Sequence, residues 1–120
     1  MIQYFVEGGF SMILILITAL AAATLALLRK GPARAEILLQ AAVLVLLEGL
    51  FGIASNMEAV ADYLRAHPEE PAALAQGIGE AMNSGTFAAT VALILWVAGV
   101  VARVSGRSAP VAVLGAVAAR

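Results

Sequence analysis

Cysteine is absent from this 120-residue chain, which excludes a disulfide framework and any thiolate metal site. Histidine occurs once, at His67, and aromatic residues make up only 6%. Charged residues reach 12%, where soluble domains carry about 25%, so a water-facing surface would go uncovered. There is no glycine-rich phosphate loop, no cluster of metal-ligating side chains and no nucleophile paired with a base. An enzyme is therefore not expected, nor a cofactor, a metal or a nucleic-acid partner.

What is present is apolar: 62% of the residues are hydrophobic and the mean hydropathy is +0.98. They fall into three blocks. Residues 10–28 and 81–102 carry no charge, and residues 37–57 carry one, Glu48. Crossing a hydrocarbon core takes roughly 20 helical residues, and each block is long enough. Lipid supplies no partner for an unpaired peptide group, so all three are expected as helices. The expected fold is thus an all-α integral membrane protein with three transmembrane helices.

The segment before the first block contains Glu7 and no Lys or Arg, whereas a secretory leader is basic there and has a shorter apolar core. Basic residues follow the block instead, as Arg29, Lys30 and Arg34, the pattern of an uncleaved helix inserted N-terminus outward. The tail after the third block holds Arg103, Arg107 and Arg120. The link between the second and third blocks has one basic residue, Arg65, against Glu58, Asp62, Glu69 and Glu70. The positive-inside rule then puts the first link and the tail in the cytoplasm, and the N-terminus and second link outside.

Gly31-Pro32 breaks the chain after the first block, and Ala35 or Glu36 is expected to begin the second helix. Met57 to Ala66 stays helix-compatible up to His67-Pro68, and Glu69-Glu70-Pro71 reads as a new helix start. The second and third helices should therefore form a long antiparallel hairpin with its tip outside the membrane. A three-helix domain is expected over residues 1–104, followed at 105–120 by a short cytoplasmic tail. Its apolar stretch, residues 109–119, would be an interfacial helix or a frayed end.

Glu48 stands out because an ionisable group within a span is costly and normally faces protein or water. Gly52, Ser55 and Ala59 share its helical stripe. Glu80, Asn83, Thr86 and Thr90 make a second stripe on the third helix, with Ser84 and Gly85 beside it. Glu48, Ser55, Glu80, Asn83, Thr86 and Thr90 are the candidate proton-path or pore-lining residues. Close helix packing, with a hydrogen-bonded Glu48 between helices, is the alternative for the same residues. Trp96 and Tyr4 suit membrane interfaces, and His67 suits a solvated turn.

Three segments, Phe5-Val6-Glu7-Gly8-Gly9-Phe10-Ser11-Met12 followed by Ile13-Leu14, Gly49-Leu50-Phe51-Gly52-Ile53 and Gly77-Ile78-Gly79-Glu80-Ala81-Met82, together resemble the MotA/TolQ/ExbB proton-channel family, over roughly residues 5–104. Phe5-Val6-Glu7-Gly8-Gly9-Phe10 is similar to the acidic-Gly-Gly element before that family's first membrane helix. Gly49-Leu50-Phe51-Gly52-Ile53 resembles its second-helix segment, and Gly77-Ile78-Gly79-Glu80-Ala81-Met82 the entry to its third. The resemblance implies a proton-channel or stator-like subunit of the bacterial inner membrane that couples the proton-motive force to motion or transport. It also implies a homo-pentameric ring around a single-span partner of the ExbD/TolR/MotB type, with the second and third helices lining the pore. This chain departs at the family's pore threonines, where Ile53 and Gly85 stand, with Thr86 one place later. It also lacks the large insertion between the first two helices. A ring subunit that does not conduct, or an unrelated small cation transporter using Glu48, are the alternative readings.

Overall fold

The computed structural model describes residues 9–119, and the side chains of all of these except 107–114, 116 and 117. The Glu7-Gly8 part of the first family-like motif and Tyr4 lie outside the described residues. Three helices make up this region: α1 (Gly9–Leu28), α2 (Pro32–Ala66) and α3 (Ala72–Ala118). At about 1.5 Å per residue, α1 matches a bilayer core of about 30 Å, while α2 and α3 are much longer. All three include stretches long and apolar enough to cross a membrane, Gly9–Leu28, Pro32–Ala66 and Ala72–Gly106. The bundle is a rod of 81 × 20 × 18 Å.

The first turn explains where α2 begins. Gly31 takes φ +69°, a left-handed conformation costly for a side chain bearing Cβ, and Pro32 follows as the first helical residue. The helix therefore starts before the expected Ala35 or Glu36. Arg34 folds back so that Nε donates to the carbonyls of Ala26 (2.8 Å) and Arg29 (3.1 Å), satisfying acceptors that the end of α1 leaves open.

At the other turn, α2 ends at Ala66 with the His67 N–H bonded to the Tyr63 carbonyl (2.9 Å). The His67 ring stacks on Tyr63 with centroids 4.3 Å apart, and the Tyr63 hydroxyl donates to Glu70 across the turn (2.5 Å). The 109–119 stretch continues α3 as far as Ala118, through Pro110.

The helices pair through small residues. A Cβ at Gly49 would lie 2.3 Å from the Ala88 Cβ, and one at Gly52 would lie 2.4 Å from the Ser11 hydroxyl. Gly77 faces Val60, Gly85 faces Ile53, and Gly99 faces Leu38 and Leu39. Partners advance along α3 as they recede along α2, so the pair is an antiparallel hairpin.

The distribution of side-chain size is inverted relative to a water-soluble protein. Ala22, Ala26, Ala35, Ala41, Ala42, Ala81, Ala88 and Ala92 are buried. Large residues point outward, among them Phe10 (74% exposed) and Leu27 (78%). Lipid tails are as apolar as Leu, so nothing drives Leu inward in a membrane, and close backbone approach governs the packing. Three long helices with this inside-out pattern suit a multi-pass membrane protein.

Candidate functional site

On α1 the inward face reads Ser11, Ile15, Thr18, Ala22, Ala26, steps of three and four residues that keep one stripe on the bundle axis. On α2 the corresponding seam is Leu38, Ala41/Ala42, Val45, Glu48/Gly49, Gly52, Asn56, and on α3 it is Gly77, Ala81, Ser84, Ala88, Ala92, Leu95, Gly99. Two polar layers interrupt this otherwise apolar column.

The first layer joins all three helices. Ser84 is fully buried; its Oγ accepts from Ser11 Oγ (3.2 Å) and from Asn56 Nδ2 (3.3 Å). Gly52 lets these groups meet, since a Cβ there would press on Ser11 and touch Ser84.

The second layer lies about two helical turns away from Asn56 along α2. Glu48 is buried, 8% exposed, and its Oε1 accepts a 2.6 Å hydrogen bond from the Thr18 hydroxyl of α1. Its other oxygen, Oε2, is buried and has no hydrogen-bond partner. Leaving a carboxyl oxygen buried and unpartnered costs on the order of 1–3 kcal/mol, more when the group is charged. Between the layers sit Ile15, Gly49 and Ala88, with Gly49 and Ala88 in close contact. On the far side of Glu48, Val45, Ala22, Ala41, Ala42, Ala92 and Leu95 form an unbroken apolar plug.

The other expected residues do not converge on Glu48. Ser55 is half-buried and Ala59 exposed; the buried seam passes through Asn56 instead. Glu80 is half-buried near the hairpin tip and accepts from Gln76 Nε2 (3.1 Å). It lines an open cavity of about 750 Å³ with Asn56, Tyr63, Glu70, Gln76 and Gly77. Asn83 is half-buried beside Ser84 on α3. Thr86 and Thr90 lie exposed on the outer face of α3, and the Thr90 hydroxyl donates to the Thr86 carbonyl of its own helix (2.8 Å).

The partners of the site that sequence reasoning passed over are Thr18, Ser11 and Asn56. A signal existed for two of them: Ser11, Thr18 and Thr24 are the only polar residues in 10–28, and the first two are seven apart, on one face. Among the described residues, no three acidic or His side chains converge as a metal site. Comparisons with protein families, with curated proteins and with solved structures find no match to this chain.

Proposed function

We propose that this chain is a proton-carrying subunit of a membrane complex, a proton-channel or stator-like component, with Glu48 as the group that takes up and releases the proton. The observation that carries the reading is the half-partnered carboxyl: Oε1 is held by Thr18, while Oε2 is buried with no partner. Intramembrane acids are costly, and those that persist commonly mark ion or proton paths. The wider setting, a homo-pentameric ring in the bacterial inner membrane around a single-span partner, rests on the motif resemblance. The exposed Thr86 and Thr90 suit that setting as a surface for a neighbouring subunit or a lumen.

The test is proton flux into liposomes containing the whole chain and any partner that co-purifies with it. Glu48→Gln should reduce flux at least tenfold while leaving the complex assembled; Glu80→Gln, at the rim of the tip cavity, should reduce it less. Native flux in an assembled Glu48→Gln complex would reject Glu48 as the carrier. Native mass spectrometry in mild detergent reads the ring directly: five copies are expected, and a persistent monomer or dimer would sink the ring.

A second reading, a structural subunit that does not conduct, is favoured by one observation. The Thr90 hydroxyl is satisfied by its own backbone, so that part of the α3 stripe needs no water-filled lumen. Under this reading neither Gln variant alters any flux.

A further inference from the structure

The carboxyl group at Glu48 has two chemically equivalent oxygens in free solution, yet the bundle treats them differently. We infer that Thr18 is a positioning residue for this site: by holding Oε1 it makes Oε2 the oxygen at which the proton is exchanged. The inference rests on the proton-carrying reading of Glu48.

Thr18 has an alternative that it does not use. A threonine within a helix commonly donates to the carbonyl four residues back. Two others here do so: Thr24 to Leu20 and Thr90 to Thr86, each at 2.8 Å. For Thr18 that acceptor would be Leu14, but its hydroxyl reaches across to α2 and donates to Glu48 at 2.6 Å. A bond this short is a well-formed hydroxyl-to-carboxyl hydrogen bond, so Oε1 is committed to Thr18. Both partners are inside the bundle: Glu48 is more than nine-tenths buried and Thr18 half-buried.

Few other charges act on this group. The described α1, Gly9–Leu28, carries no titratable side chain. On α3, Ala88 packs one residue along from Glu48, against Gly49. The nearest titratable groups of α3 are Glu80 and Arg103, about 12 Å and 22 Å along the helix from Ala88. On α2 itself the nearest are Glu58 and Glu36, about 15 Å and 18 Å along the axis from Glu48. Thr18 is thus the near group that distinguishes the two oxygens.

Uptake forms an O–H bond at Oε2 as an O–H bond of a hydronium breaks and leaves water, neutralising the carboxylate while Oε1 stays bonded to Thr18. Release breaks that O–H bond, leaves the electron pair on Oε2 and returns the proton to water. Without the Thr18 hydroxyl nothing holds Oε1, the carboxyl is free to turn, and exchange at Oε2 slows.

The experiment compares Thr18→Val, which keeps the shape and removes the hydroxyl, with Thr18→Ser, which keeps the hydroxyl. Both are made in the full chain, reconstituted in liposomes, and read by proton flux and by infrared spectroscopy. The carboxylic C=O band of Glu48 is assigned by its disappearance in Glu48→Gln. A hydrogen bond to Oε1 weakens the C=O bond, so Thr18→Val should move this band to higher frequency and slow flux roughly tenfold. Thr18→Ser should restore both. An unmoved band in Thr18→Val overturns the inference whether or not flux falls, because flux lost without a band shift is a packing effect. If Glu48→Gln itself conducts like the native protein, the proton-carrying reading fails, and the Thr18→Val band still reports separately whether Thr18 holds Oε1.

Discussion

The two polar layers of the bundle lie about 12 Å apart along α2, from Asn56 to Glu48, yet they are built on opposite terms. In the Ser11–Ser84–Asn56 layer, a fully buried hydroxyl from α3 accepts from side chains of both other helices. In the Thr18–Glu48 layer, one oxygen is bonded and the other is buried and unpartnered. A hydrogen bond inside lipid stabilises only modestly, while an unmet group is expensive. The first layer therefore reads as a clasp. The second is a local loss of stability that function would explain.

Removing the close contacts that hold both layers in place should have the largest effect. Gly49→Val drives a branched side chain into Ala88, whose Cβ already lies 2.3 Å from where a new Cβ would sit, with backbone 3.8 Å behind it. Overpacking of this kind costs typically 1–3 kcal/mol and here should reach about 3, seen as a lower midpoint in detergent-denaturant unfolding.

The sharpest contrast between the layers is a difference of sign. Ser84→Ala removes the acceptor used by Ser11 and Asn56 and should destabilise by about 1–2 kcal/mol in the same assay. Glu48→Leu replaces a half-partnered carboxyl with an apolar group of similar size and should stabilise by about 1 kcal/mol. Destabilisation by Glu48→Leu equal to that of Ser84→Ala would erase the distinction and make Glu48 a second clasp. The smallest effect belongs to Thr90→Val. That hydroxyl is exposed and bonds only the adjacent turn of its own helix, so its loss should change stability by less than about 0.5 kcal/mol.

The three helices and the tip at His67–Pro71 were legible in the sequence because each depends on local quantities. These are an uninterrupted apolar run, a proline that bars its neighbour from helical geometry, and a glycine free to turn. The site was legible only in part. Glu48 was visible because a charge in an apolar run is conspicuous by itself. Thr18 was not, because its significance lies in a residue thirty positions away that it meets across a helix interface. The stripe through Ser55 failed for a related reason. Along one helix, Ser55 and Asn56 are almost equally good continuations from Gly52, and the position of Ser84 on α3 selects Asn56.

The sequence by itself determined that this chain is helical, apolar enough to cross a membrane three times, and burdened with one acid in its second span. Those properties follow from backbone hydrogen bonding and hydropathy, which are set residue by residue. Only the tertiary structure decided which oxygen of Glu48 has a partner and which polar residues meet. It also decided which threonines face outward, because small residues allow the helices to approach at one register and rotation, and side chains meet across an interface only once both are set.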